Sequence, residues 1–321
     1  MYLHHTNPPT DRKPAFSGAV SCLIPVYNAA KFLPSLLEGI KNQTIPFSEV
    51  ICYDDGSTDD SAQIAEAWGA RVIRGQENRG ISHARNQLLE AAQGDYIHFH
   101  DADDLIDTRF LELLTPHIAP NKAAFCSYKR LYPDGKSKNF KYENFAAHSD
   151  PTEFFIWNFV HLNALIYPRE VALKCERFWE DLWTEEDKPW TVLMSLHGLK
   201  FHYENVPLVT WIAHANSTMA TMAKGERPVL FKIASGRLMK HLSPTHQHSF
   251  GQFLTNLAWK HYYDEQFERA SHMLELSHQA GVRYWNGGGS FARRLSQLIG
   301  IKATFWVRTR WGQLRARPIA S

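Results

Sequence analysis

Residues 19–59 read AVSCLIPVYNAAKFLPSLLEGIKNQTIPFSEVICYDDGSTD. Ala19 to Val26 is an apolar run of strand length. Lys31 to Gln43 then places Phe32, Leu33, Leu36, Leu37 and Ile40 on one face at i, i+3, i+4 spacing, the signature of a helix. Glu49 to Tyr53 is apolar again and predicts a second strand. Working outward, Asp59 to Trp68 predicts a helix closed by Gly69, and Arg71 to Arg74 a short strand. Ser82 to Gln93 predicts a helix stopped by Gly94, and Tyr96 to His100 a fourth strand. Strand and helix in alternation require crossover connections. The expected fold class is therefore α/β, a mixed, mostly parallel sheet with helices on both faces.

Ligands of such sheets bind at the carboxyl ends of the strands. Three polar segments fall there: Pro25–Asn28, Asp54–Asp59 and Asp101–Asp104. Acids far apart in sequence thus converge on one edge. In Asp101-Ala102-Asp103-Asp104, residues i and i+2 of extended backbone point the same way, so Asp101 and Asp103 can share a cation. Carboxylates suit Mg²⁺ or Mn²⁺. The same run fits an EF-hand loop poorly, because Leu105 and Ile106 stand where a ligand and a glycine belong. A solvated acidic loop is the plain alternative. Helix capping accounts for Ser57, Thr58 and Asp59, but not for Asp54 and Asp55 together at a strand end. His98 and His100 share a strand face, yet no nearby cysteine or third histidine completes a zinc set.

The chain has 321 residues, 44% hydrophobic and 21% charged, enough for a sizeable core. Its net charge of +2 gives no reason to expect nucleic acid. The four cysteines, Cys22, Cys52, Cys126 and Cys175, are widely spaced and read as buried free thiols of a reducing compartment. Met1 to Phe16 lacks the apolar region of a signal peptide. No apolar run reaches the roughly 18 residues of a spanning helix. The expected location is the cytoplasm, with peripheral contact at the inner face of the membrane.

Taken together, four segments resemble family 2 glycosyltransferases of the GT-A fold. They are Ile24-Pro25-Val26-Tyr27-Asn28, the Asp54–Asp59 run, Asn78-Arg79-Gly80 followed by Ala84-Arg85-Asn86, and Gly94-Asp95-Tyr96 leading to Asp101-Ala102-Asp103-Asp104. The resemblance is strong over about residues 19–115 and weaker to about 220. It implies an inverting, metal-dependent enzyme of hexosyl or N-acetylhexosaminyl type. Such an enzyme moves a sugar from a nucleotide-sugar, a UDP-sugar first, to a saccharide or lipid-linked acceptor in cell-surface polysaccharide or glycoconjugate synthesis.

Roles follow from the resemblance, residue by residue. Pro25 and Tyr27 line the nucleotide pocket, and Asp55 holds base or ribose. Asn78 and Arg85 approach the donor, although Arg85 also reads as a surface arginine. Asp103 is the principal ligand of Mn²⁺ or Mg²⁺, with Asp101 beside it. The general base lies in Thr184-Glu185-Glu186-Asp187, with Asp187 the candidate and Glu186 the fallback. The same four residues also read as a helix cap with acids in its first turn. His214 lies in a segment where the family brings a histidine to the donor phosphates; it is a candidate ligand of phosphate or of the metal, and it also reads as a plain loop residue.

Past residue 105 the alternation weakens. Ala123–Leu131 and Lys136–Tyr142 flank the turn signal Pro133-Asp134-Gly135 and predict a hairpin. Glu186–His197 reads as a helix and Leu199–Ile212 as a strand. Residues 254–276 resemble one helical-hairpin repeat unit, read as a packed helix pair. The expected organisation is an extension (1–18), a catalytic domain (19–222, with a nucleotide-sugar half to about 104) and a helical C-terminal region (223–321). After Glu275 there is no acidic residue. Arg308, Arg310, Arg315 and Arg317 lie among Phe305, Trp306 and Trp311, a composition suited to an anionic membrane surface. Two rival functions are weighed. A nucleotidyltransferase needs a glycine-rich basic loop after the first strand, and Pro25–Asn28 is not one. A catalytically silent nucleotide-sugar-binding module would have no need of Asp187.

Overall fold

The computed structural model describes residues 18–214, 226–287 and 289–315. The alternating pattern becomes β1 (Val20–Val26), α1 (Leu33–Lys41), β2 (Glu49–Asp54), α2 (Ser61–Trp68), β3 (Arg71–Arg74), α3 (Ile81–Ala91) and β4 (Tyr96–Phe99). Every residue of β1 is buried, as a strand covered on both faces must be. α1 buries Leu33, Leu36, Leu37 and Ile40, the face its spacing predicts. Each such side chain contributes about 1.5–3 kcal/mol by leaving water. Gly69 caps α2 in the left-handed conformation at φ 103°. Gly94, expected to stop α3, does not: the helix ends at Ala91 and Ala92 is already extended. Gly94 is instead a packing requirement, since an added Cβ would lie 2.6 Å from Ser21 Oγ and 2.9 Å from Ala19 O.

The second half supplies β5 (Leu105–Ile106), α4 (Phe110–Leu114), β6 (Lys122–Leu131), β7 (Ser137–Phe140), α5 (Pro151–Trp157), β8 (Leu165–Pro168), α6 (Arg169–Lys174), α7 (Asp187–Ser195) and β9 (Lys200–Ile212). The strand order is β3-β2-β1-β4-β8-β6-β9-β5, with β7 paired to β6 as the expected hairpin. β1 to β4 are mutually parallel, and β6 runs parallel to β9. β8 runs against both β4 and β6. The chain leaves β1 toward β2 and β3 and later returns to β1's other side as β4. The crevice at the carboxyl ends of β1 and β4 is thus a topological switch point, where this kind of sheet places its ligands.

Beyond β9 come α8 (Glu226–His241), α9 (Pro244–Tyr263), α10 (Phe267–Gln279), α11 (Gly289–Ile299) and α12 (Ile301–Arg315). α9 and α10 form the expected helix pair, joined where Thr255 Oγ1 meets Ser277 Oγ at 2.6 Å. They also contact the sheet half: Trp157 Nε1 donates to Ser249 Oγ at 2.8 Å, and His246 Nε2 meets Asp150 Oδ2 at 2.7 Å. The boundary expected at 222/223 falls outside the described residues. Among the described residues, no helix is long and apolar enough to cross a membrane. All four cysteines are free and buried, and burial pushes the Cys52 thiol up to about 12.

Candidate active site

β1 ends at Val26, and Asn28 follows in the left-handed region at φ 47°. That turn lets Asn28 Oδ1 accept from Thr58 N at 2.8 Å, while its own N–H donates to Ser57 Oγ at 3.0 Å. Asp54 Oδ1 accepts from Ser57 N at 3.1 Å. The tight turn needs Gly56 at φ 73°, where a Cβ would lie 2.8 Å from the Glu77 carbonyl carbon. Pro25 is buried in β1, and Tyr27 is half-exposed at the strand's mouth. Asp55 is buried, and its oxygens accept from Arg79 N at 3.0 Å and Gly80 N at 2.7 Å. Asn78 Oδ1 also accepts from Gly80 N, at 3.0 Å. The two conspicuous loops, Asp54–Asp59 and Asn78–Gly80, are therefore one hydrogen-bonded unit.

Arg85 overturns the reading as a surface arginine. Its side chain is 1% exposed. Nη2 donates to Asp101 Oδ1 at 2.9 Å, and Nη1 donates to Glu186 Oε1 and Asp187 Oδ1 at 2.6 Å each. Helix α3 carries Arg85, the loop after β4 carries Asp101, and the start of α7 carries the acid pair. A guanidinium suits this task because its planar fork offers several fixed donors. The next residue, Asn86, anchors the chain leading to α7: its amide donates to Phe178 O at 2.9 Å and accepts from Phe178 N at 3.0 Å. Phe178 in turn stacks on Trp190 of α7 with ring centroids 4.6 Å apart.

Electrostatics then separate the two acids of α7. Burial and the neighbouring Asp187 charge push Glu186 up to about 8, so it holds a proton at neutral pH. Burial is the largest influence on Asp187 and disfavours its anion, but Arg85, His161 and the hydrogen bonds from Glu186 and Arg85 together outweigh it, and Asp187 lies below the ordinary carboxylate range. Two adjacent carboxyls sharing one proton behave this way. Asp187 is the charged member and the more exposed one, 16% against 8%. Both properties favour it over Glu186 as the proton acceptor.

The acidic loop divides its residues among different tasks. Asp103 is a third exposed, and its Oδ2 meets His214 Nε2 at 2.8 Å. His214 stacks on Phe32 at 4.6 Å, so the strand end does deliver this histidine to the acids. Asp104 turns inward, accepting from Ile212 N at 2.8 Å and from Asn163 Nδ2 at 2.6 Å. Asn163 Oδ1 also receives Asp101 N at 3.1 Å. Asp104 was read only as a member of the acidic run, without a role of its own, and Asn163 and His161 were not singled out from sequence. Asn163 lies in a single 3-10 turn (Leu162–Ala164) just before β8 and His161 caps it, with no motif to mark either. The ligand atoms of Asp101, Asp104 and His161 lie within 4.8 Å of one another. His161 Nδ1 is buried without a hydrogen-bond partner.

These residues fit a hard divalent cation. Burial is the main cause that raises Asp101 and Asp104, and the crowding of Asp101, Asp103 and Asp104 adds to it. A cation relieves that crowding, and oxygen donors are what Mg²⁺ and Mn²⁺ take. A second histidine–carboxylate group, His117, His202 and Glu204, does not fit as well. The two imidazoles stack 3.5 Å apart at 10°, so their in-plane lone pairs run parallel instead of converging. His98 and His100 are also removed from metal chemistry. His98 Nδ1 lies 2.9 Å from Leu165 O, and His98 Nε2 lies 3.0 Å from His100 Nδ1. Burial lowers His98 to about 4, which keeps it neutral.

Three comparisons place this geometry. Residues 21–175 match the sequence profile of Glycosyl transferase family 2. A cholesterol galactosyltransferase of Borreliella burgdorferi is 36% identical over 118 residues, covering 35% of this chain and 33% of that protein. The chain spans about a third of the length of the curated relatives it matches. Among solved structures, S. aureus TarS 1-349 in complex with UDP-GlcNAc superposes with a TM-score of 0.63 at 20% identity, over 82% of this chain and 81% of that one. The mannosyltransferase PcManGT from Pyrobaculum calidifontis, in complex with GDP-Man and Mn²⁺, gives 0.56 at 18% identity over 93% and 89%. The fold is GT-A, as the motif order implied.

Proposed function

Residues 21–175 belong to glycosyl transferase family 2, and from that premise we propose that the chain transfers a sugar from a nucleotide-sugar to an acceptor hydroxyl with inversion. The observation that carries this reading is Arg85. One buried guanidinium ties Asp101 of the acidic loop to Glu186 and Asp187 of α7. The segment suited to a donor diphosphate and the pair suited to an acceptor proton thus flank a single group.

In this mechanism Asp187 takes the acceptor proton as the hydroxyl oxygen attacks the anomeric carbon opposite the leaving diphosphate. The new glycosidic bond forms as the bond to the diphosphate oxygen breaks. The proton ends on Asp187, and the configuration inverts without a covalent enzyme intermediate. Glu186, already protonated, donates toward Asp187 and keeps it oriented. Pro25 and Tyr27 form the nucleoside edge, Asp55 offers its remaining lone pairs to base or ribose, and Asn78 closes the donor side. A Mn²⁺ or Mg²⁺ ion would be held by Asp103 and Asp101, with His214 beside Asp103, and would supply charge neutralisation at the leaving diphosphate.

UDP-GlcNAc and GDP-Man in the two structural neighbours support a hexosyl or N-acetylhexosaminyl donor, UDP-linked first. The Mn²⁺ of the second supports the metal. In this reading residues 19–104 serve the donor and 105–222 the acceptor, a saccharide or lipid-linked glycan. The setting is polysaccharide or glycoconjugate synthesis at the inner face of the membrane. The test is donor hydrolysis over a panel of nucleotide-sugars, with Mn²⁺ and with chelator, for the wild type and Asp103→Ala. One donor consumed only with metal, and spared by Asp103→Ala, is the expected result. Turnover undiminished by chelator would remove the metal from the mechanism. No calorimetric binding of any nucleoside diphosphate would remove the donor site.

A further inference from the structure

α11 has an apolar face that the fold does not use. At 3.6 residues per turn, Leu298, Phe291, Leu295 and Ile299 fall within about 100° of arc on that helix. A globular helix normally buries such an arc. α11 instead buries Ala292 and Ser296, whose relative exposures are 0% and 1%. Ser296 Oγ accepts from Trp285 N at 3.0 Å. The helix therefore rests on a flank of small residues and turns the large ones outward: Phe291 is 65% exposed, Leu298 82% and Ile299 45%.

The terminal segment behaves differently from its expected role. Phe305 of α12 is fully buried, with ring centroids 5.1 Å from Trp259 and 5.0 Å from Trp285. The Arg308 guanidinium lies 5.2 Å from each of the same two indoles. Two of the residues read as membrane-facing thus point inward, whereas Trp306, at 55%, and Arg310 are exposed. Side chains from Trp311 onward lie outside the described residues.

Charge selects what covers α11. After Glu275 the chain carries Arg283, Arg293, Arg294, Lys302, Arg308, Arg310, Arg315 and Arg317 and no acid. Arg293 and Arg294 are exposed on α11 itself, with Arg294 bordering the apolar arc. A second copy of this chain would bring cations against cations. A polyanionic saccharide would pair with the arginines but leave Phe291 and Leu298 in water. An anionic bilayer meets both demands, with phosphates for the guanidinium groups and acyl chains for the apolar arc.

We infer that α11 is an interfacial helix that docks the protein on anionic lipid, with Phe291, Leu298 and Ile299 at the acyl boundary and Arg294, at the border of that arc, on headgroup phosphates. The docking is independent of the transfer reaction. The full chain is sedimented with vesicles of phosphatidylcholine alone and of phosphatidylcholine with phosphatidylglycerol, at low and high salt. Binding to the anionic vesicles, weakened by salt, is expected. Phe291→Ser/Leu298→Ser/Ile299→Ser should lower the partition coefficient about tenfold or more. Arg294→Gln should lower it roughly fivefold at low salt and weaken the salt dependence. Both sets alter exposed side chains, and unchanged circular dichroism melting confirms that each variant folds. Vesicle binding unchanged by the apolar triple variant would overturn the inference, because another segment would then do the docking. Absence of vesicle binding would also overturn it. If light scattering then showed a dimer that the triple variant dissociates, a second copy is what covers the face.

Discussion

Around Arg85 three acidic side chains share one guanidinium inside the protein, whereas beyond Glu275 eight cationic residues follow without a single acidic side chain. The acidic edge is closed: its charges find partners from distant parts of the same chain, and the rings packed behind Arg85, Phe178 and Trp190, are buried. The α11 surface is open in both respects, leaving arginines and large apolar side chains together in solvent. Burying charge without a partner costs far more than leaving it solvated. A network completed within the chain therefore marks a site preorganised before its ligand arrives. Charge and apolar surface left uncompensated together mark a surface that is completed from outside.

The largest test of the closed region is Asp187→Asn. It removes the charged member of the pair, and kcat for sugar transfer should fall about a thousandfold with little change in donor affinity. Glu186→Gln should cost far less, because Glu186 already carries its proton at neutral pH. Equal losses in the two variants would undo the division of labour within the pair.

Arg85→Met should come next. It leaves Asp101, Glu186 and Asp187 facing one another, and the expected loss is about 3–5 kcal/mol of folding stability in denaturant melts. A loss below about 1 kcal/mol would mean that solvent reaches the site and the network is not closed. Arg85→Lys should not restore stability, since one ammonium cannot fork to three carboxylates.

Lys188 tests the seam between the regions. Its ammonium donates to Phe155 O at 3.1 Å and sits 4.2 Å over the Phe253 ring of α9. Burial lowers it to about 7. The unfolded chain then binds more protons than the folded one from about pH 7 upward, so this residue makes stability rise with pH there. The slope is about 1.4 kcal/mol per pH unit at most. Lys188→Met should flatten that slope between pH 8 and pH 9.5 on the order given and raise stability at neutral pH. A slope unchanged by the substitution would place Lys188 in water.

Much of the fold was legible because it is written in local periodicity. Leu33, Leu36, Leu37 and Ile40 recur at the helical interval, and their face is the buried one. The acidic loop was legible because Asp101 and Asp103 follow a strand. What could not be read were contacts between segments. Arg85 has the same local surroundings as a surface helix arginine; its burial depends on Asp187, 102 residues away. Asn163 joins Asp101 to Asp104 from a segment without pattern. Gly94 looked like a helix stop and proved to be a close approach to Ser21.

The sequence alone determined the order of strands and helices as far as β4, the burial of the central strands and the meeting of three polar segments at one sheet edge. Residue spacing encodes these through hydrophobic burial, which acts along short stretches of chain. Only the tertiary structure decided which carboxylate carries a proton, which aspartate turns inward, and whether an aromatic or apolar residue of the C-terminal helices faces the core or the solvent. Those outcomes depend on desolvation and on charges brought close by folding, and neither is a property of neighbouring residues in the chain.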